Sequence, residues 1–344
     1  MIRFGPSGIP LSCKGRTLED GIEDVHKLGL SAFEVQFLRP KVRTRPVEEE
    51  DVGLKAKEVP GKFIIGVNRG RDYREIFVED LDKELEPGDM THSITGGVAE
   101  DFHKFPKLAR LSKELDIKMS LHTPYYMKFT ERDTEPVKKS KRCFRYGAIM
   151  MDLLDGGPII THLGFKDNED IEDIEDAAVK NLRDLRDWVS KNCENDIKIG
   201  IETQTGEDIY GSLDETLNIC RKVSDTVPVI NFAHVKVEGK YPLENEEDFA
   251  DIFDMCSNFV EDEYYVNFSG VEERRKNECR LTPIKRGELR FEDLVEYLID
   301  TEENINIIST SPLKEHDAMY MKVIFERIYT REIGKELRRE RKDG

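Results

Sequence analysis

A (β/α)₈ barrel with one metal-binding cluster at its C-terminal mouth is the fold class that the sequence predicts. Three observations predict it. Eight short, apolar, β-rich runs recur along the 344 residues. Stretches with helical spacing separate them. A His, a second His and a Glu stand at the ends of three successive runs, His122, His162 and Glu202. Continuous apolar strands with helices between them are what a buried parallel sheet requires. Eight repeats favour a closed barrel over an open sheet.

The strands are read in order at Ile2 to Phe4, Ala32 to Phe37, Lys118 to Leu121, Pro158 to Thr161, Lys198 to Ile201, Val227 to Ile230, Tyr264 to Phe268 and Asn306 to Ser309. Between them, Leu18, Ile22, Val25 and Leu28 share one helical face, and so do Ala178, Leu182, Leu185 and Val189. One stretch breaks the rhythm. About 60 residues, 40–100, follow the second strand, and a structureless loop of that length does not suit a compact domain. The stretch holds a strand-like run, Lys62 to Val67, and turn signals at Pro87–Gly88 and Gly96–Gly97. It reads as an inserted subdomain at the barrel mouth. Residues 1–330 then form a single barrel domain, and 331–344 a helical tail of mixed charge.

Composition bounds the function. Charged residues make up 36% of the chain, and the net charge is −18. That argues against a general nucleic-acid coat, because affinity for phosphate backbones rests on Lys and Arg. A local basic patch remains open. No run of ~18 apolar residues exists, so no membrane span is expected. The start, MIRFGPSGIP, lacks the regions of a signal peptide. Six cysteines without a CxxC pair read as reduced thiols in a cytoplasmic protein.

Barrel enzymes place their chemistry at the C-terminal strand ends. There the sequence has His122 in SLHTPYY, His162 in IITHLG, Glu202 in IGIETQTG, Asn231 with His234 in INFAHVK, Asn267 in VNFSG and Thr310 in STSP. Two imidazoles and a carboxylate are a recurring zinc set that leaves a position for water. Manganese suits the same donors. A lone His at a strand end is otherwise a hydrogen-bonded structural residue; the three together favour metal. Tyr125 and Tyr126 follow His122 and either stack on a base or sugar, or pack under their loop. The basic run Lys138, Lys139, Lys141, Arg142, Arg145 is either a phosphate contact or a solvated helix face.

At these residues the chain resembles the endonuclease IV family, also called AP endonuclease family 2, within the xylose isomerase-like barrels. The resemblance rests on AFEVQFLR, LHTPYY, THLG, IETQTG, NFAH and the SP of TSPL, in this order. Members cleave DNA 5′ to abasic sites with three zinc ions. The resemblance implies that His122 and His162 bind a first metal, that Glu202 bridges the first and second, that His234 serves a third, and that Tyr125 probes DNA.

The departures are as informative. Asn231 stands for a ligand Asp and Asn267 for a ligand His, which leaves both as substrate contacts. Glu278 and Arg280 stand for an Asp and a His, and Thr310 for a Glu. An Arg cannot ligate. The second metal thus loses most of its ligands, and the third keeps His234 and Glu278. One ion is expected, and at most two.

The first reading is a divergent, metal-dependent phosphodiesterase acting on DNA or another phosphodiester. Glu202 and Arg280 would be its catalytic residues, and Lys138 and Arg142 would hold phosphate. The alternatives are a metal-dependent sugar isomerase or epimerase and a non-catalytic relative that binds nucleic acid or protein.

Overall fold

The structure is a computed structural model that describes residues 1–37, 40–70, 81–95, 98–167, 170–275 and 278–343. The turn expected at Gly96–Gly97 and the last residue of the tail lie outside them.

Fifteen strands occur among the described residues, and eight build the barrel. In chain order these eight are β1 (Ile2–Pro6), β2 (Ala32–Gln36), β6 (Lys118–His122), β7 (Ile159–Thr161), β9 (Ile199–Glu202), β11 (Thr226–Asn231), β12 (Tyr264–Phe268) and β15 (Ile305–Ser309). They hydrogen-bond side by side in the order β1-β15-β12-β11-β9-β7-β6-β2. Every pair is parallel. The eight expected runs therefore form the barrel, with ends displaced by a residue or two. His122, Glu202 and Asn231 are the last ladder residues of their strands rather than the first loop residues.

The ring closes between β1 and β2 by a short contact instead of a full ladder. Ser7 bridges Glu34, Gly8 N donates to Glu34 O at 2.8 Å, and Ser31 N donates to Phe4 O at 3.0 Å.

Helices cover the outside: α1 (Leu18–Lys27), α2 (Phe105–Glu114), α3 (Glu135–Leu154), α4 (Ile171–Asn192), α5 (Leu213–Lys222), α6 (Phe232–Glu238), α7 (Glu246–Cys256), α8 (Phe291–Asp300) and α9 (Glu315–Asp343). Local sequence starts several of them. Thr17 with Asp20, and Ser212 with Glu215, form reciprocal caps on α1 and α5. Asn231 caps α6 through its side-chain oxygen. The main apolar core lies between strands and helices. A small cluster of Ile160, Val229 and Tyr265 belongs to β7, β11 and β12. The residues 331–343 continue α9 without a break.

The stretch after β2 holds β3 (Lys41–Pro46), β4 (Phe63–Asn68) and β5 (Met90–Thr95), an antiparallel sheet with β5 in the centre. The expected run at Lys62 is β4, shifted by one residue. Ala56, Val59, Ile64, Val67 and Leu85 give this sheet its own small core. Phe63 fastens it to the barrel, with ring centroids 4.7 Å from Phe102 and 5.1 Å from Phe105. Two further pieces decorate the mouth: the pair β8 (Gly164–Phe165) with β10 (Ile209–Tyr210), and the hairpin of β13 (Gly270–Arg275) and β14 (Glu278–Thr282).

Candidate metal centre

Residues paired in a parallel ladder point the same way, and alternate residues point oppositely. The register sets Gln36 beside His122, His122 beside Ile160, Glu202 beside Val229, and Asn231 beside Asn267. Thus β6, β9, β11 and β12 deliver their terminal polar residues to one place.

There, His122 Nε2 and His162 Nε2 approach the same oxygen of Glu202, Oε2, at 2.6 and 2.7 Å. The rings lie 4.9 Å apart at 74°. All three ligand atoms fall within 4.8 Å of one another. The remaining atoms are tied off. His122 Nδ1 meets Thr123 O at 2.6 Å, and His162 Nδ1 meets Gln204 Nε2 at 3.0 Å. Glu202 Oε1 accepts from Asn231 Nδ2 at 2.8 Å and Asn267 Nδ2 at 2.7 Å. Partners that fix the far side of a ligand are what orient a metal site.

The donor set fits a divalent cation of the zinc or manganese kind. Two imidazole nitrogens and one carboxylate oxygen converge on a common point, and their outward atoms are already spent. The buried Glu202 carboxylate gives the pocket a place for positive charge, which a proton on His122 and a cation compete to fill. Burial alone would depress the His122 imidazolium, but the Glu202 carboxylate beside it raises the pKa to about 9. Burial would raise Glu202, and His122 with His162 hold it well below the carboxylate range instead.

The structure does not bring the other expected residues to this point. His234 lies nearby, yet its Nδ1 accepts from Thr205 N at 3.1 Å, and it falls outside the converging group. Burial holds it neutral, with a pKa of about 4. Glu278 and Arg280 sit on exposed β14, where Arg280 faces Glu272 across the hairpin at 3.7 Å. The hairpin packs on α6, and Glu278 is not among the residues whose ligand atoms converge. The basic run belongs to α3. Lys138 pairs with Glu135 and Lys141 with Asp184. Arg145 lies over Trp188, and Arg142 is half-buried on the same helix. Tyr125 is 61% exposed on the loop after β6, edge-on to half-buried Tyr126.

Three residues at the mouth escaped the sequence reading. Gln204 orients His162. Glu34, fully buried on β2, points into the barrel because its neighbour Gln36 is in register with His122. Lys314 lies on the loop after β15, beside Gly8 and Gln36. A sizeable cavity, about 510 Å³, opens at the opposite end of the barrel, among Lys118, Lys198 and Tyr265. Its lysines are engaged by Glu263, Asp196, Asp225 and Glu261. It lies at the wrong end of the strands for the chemistry.

Known proteins share this frame. The family model described as xylose isomerase-like TIM barrel matches residues 70–319. An uncharacterized protein of Methanocaldococcus jannaschii is 23% identical over 249 residues, which covers 70% of this chain and 88% of that protein. Among solved structures, a D-tagatose 3-epimerase-like protein aligns with TM-score 0.59 at 13% identity, over 96% of this chain and 99% of its own. Endonuclease IV from Thermus thermophilus aligns with TM-score 0.55 at 15% identity, over 95% and 99%. A 3-keto-D-glucoside 4-epimerase from E. coli reaches 0.58 at 9% identity, over 94% and 100%. At these identities the structures share the fold. The chain belongs to the xylose isomerase-like TIM barrel family and is a divergent member of it.

Proposed function

We propose that the protein is a single-cation enzyme that moves a proton on a small, polyhydroxylated carbonyl compound, interconverting its aldehyde and ketone forms. One observation carries this reading: Glu34, a carboxyl with an unused oxygen inside the mouth. Its Oε1 accepts from Ser7 Oγ at 2.8 Å and Gln36 Nε2 at 2.6 Å. Its Oε2 is buried and has no hydrogen-bond partner among the described residues. Burial pushes its pKa up; His122 opposes that and Glu202 adds to it. A carboxyl tuned toward neutrality at a mouth is suited to general acid–base work.

His122, His162 and Glu202 would hold the cation, which supplies polarisation of a carbonyl oxygen. Glu34 takes the proton from the carbon next to that carbonyl, leaving an enediolate. It then returns the proton to the neighbouring carbon while the oxygen-bound proton moves the other way. One base serves one face, so isomerisation fits a lone Glu34 better than inversion at a single carbon. Asn231 and Asn267 keep Glu202 from rotating.

Exposed Tyr125 favours a second reading, cleavage of a phosphodiester in DNA, with the ring against a base.

Metal-loaded protein incubated in D₂O with a panel of aldoses and ketoses should place deuterium next to the carbonyl, as read by NMR. Glu34→Gln should slow that exchange by about 100-fold with metal content unchanged. Cleavage of abasic-site DNA without any exchange would replace this reading with the second.

A further inference from the structure

Besides Glu34 Oε2, three buried polar atoms on one arc of the barrel interior have no hydrogen-bond partner among the described residues. They are Asn267 Oδ1, Ser269 Oγ and Thr310 Oγ1. Asn267 and Ser269 are 1% and 0% exposed, and Thr310 is half-buried. Register brings them together. Asn267 pairs with Ile308 and Phe268 with Ser309, and Thr310 N donates to Phe268 O at 3.1 Å. Asn267 faces inward, because its Nδ2 holds Glu202. Ser269 stands two residues beyond Asn267, and Thr310 two beyond Ile308, so alternation gives both the same inward face. Phe268, between Asn267 and Ser269, points outward to Phe232 of α6 and Phe291 of α8.

The row continues to the base. Pro6 pairs with Ser309, and Ser7 N donates to Ser309 O at 3.0 Å, which sets Ser7 next to Thr310. Ser7 Oγ in turn donates to Glu34 Oε1. The arc therefore runs from Asn267, which holds Glu202, to Ser7, which holds Glu34. A polar atom left unpaired in a protein interior costs stability. Native proteins keep few of them, and each calls for a reason. Three on one arc, between the cation ligands and the base, point to a ligand that completes them. Their chemistry defines it. The Asn267 amide cannot reverse, because Glu202 needs its Nδ2, so its Oδ1 accepts only. The Ser269 and Thr310 hydroxyls both donate and accept. An ionised phosphate or carboxylate offers acceptors and leaves Asn267 Oδ1 unpaired. An alcohol offers both functions.

We propose that Asn267, Ser269 and Thr310 form a hydroxyl-binding subsite that holds the chain of a neutral sugar beyond its carbonyl, and so decide which sugars the centre accepts. The carbonyl then lies at the His122–His162–Glu202 centre and its neighbouring carbon at Glu34, with the remaining hydroxyls along the arc. This rests on the mouth being the substrate site, as in the proposed function. It adds the specificity residues and narrows the substrate to one without a charged group.

The test is calorimetric titration of the metal-loaded protein with xylitol and with sorbitol, which carry the hydroxyls but no carbonyl and so bind without reacting. Wild type should bind at least one of them. The double variant Ser269→Ala/Thr310→Val should bind it at least about tenfold more weakly, with metal content unchanged. Thr310→Ser keeps the hydroxyl and should retain most of the affinity. Both hydroxyls are unpaired without substrate, so the double variant should melt at or above the wild-type temperature. A hydroxyl that served only the fold would lower it. No binding by wild type, equal binding by the double variant, or a lower melting temperature overturns the subsite. The titration involves no chemistry. Failure of the proton-transfer reading therefore appears in isotope exchange, and failure of this one appears in titration and melting.

Discussion

At the scale of single residues, Glu202 is the hub of the site. One of its oxygens faces two imidazoles, and the other is saturated by two amides. A carboxylate with four partners cannot rotate to bridge a second cation without surrendering two of them. Asn231 and Asn267 are neutral and donate with the atoms that face Glu202, so they stabilise its charge instead of binding metal. The expected stoichiometry is therefore one zinc or manganese per chain. His162→Ala should lose it, measured by mass spectrometry of native protein and element analysis. Two or three ions in wild type would show that Asn231 or Glu278 ligates after all. His122, His162 and Glu202 were legible in the sequence because type and strand-end position coincide. Glu34 was not. Inside AFEVQ a single acid reads as a solvent-facing strand residue, and only the barrel register turns it inward.

At the scale of elements, the inserted sheet depends on one anchored acid. Asp89 is nearly buried, and Arg69 grips both its oxygens at 3.0 Å while Glu86 N donates at 2.8 Å. Burial would raise this carboxyl, but Arg69 brings it below the ordinary 3.8. The stability it contributes is thus full above about pH 4 and is lost as pH falls through the lower folded value. Asp89→Asn should cost about 2 kcal/mol at neutral pH, the size of hydrogen bonds to a charged group. It should also abolish the acid sensitivity of β3, β4 and β5, as read by amide hydrogen exchange at pH 3 and pH 6. Equal protection of wild type at both pH values would refute the assignment. Elements were legible wherever apolar period and turn residues agreed, as at β4 and at all eight barrel strands. The β13–β14 hairpin was not, since polar strands such as GVEERR carry no apolar signal.

At the scale of the whole molecule, closure of the ring sets the positions of everything at the mouth. Seven junctions between barrel strands are ladders, and the eighth, β1 to β2, is a close backbone approach. Gly5 makes it possible: a Cβ there would lie 1.8 Å from Ala32 O and 2.3 Å from Ala32 C. Those are backbone atoms and cannot turn aside. Gly5→Ala should therefore open the β1–β2 seam and cost at least about 4 kcal/mol, in the range of severe overpacking. Gly200 provides the contrast. A Cβ at that position meets Val229 Cγ2 at 2.9 Å and Ile160 Cγ1 at 3.1 Å, mostly side chains that have some room to shift. Gly200→Ala should cost less, about 1–3 kcal/mol. Thermal and denaturant unfolding of the two variants decides this. Because Ser7, Glu34 and Gln36 straddle the same seam, a folded Gly5→Ala protein should also lose the Glu34-dependent exchange while keeping its metal, whose ligands stand on β6, after β7 and on β9 rather than on the seam strands themselves. Equal stability of the two variants would mean that β1 and β2 are held by their helices rather than by this contact.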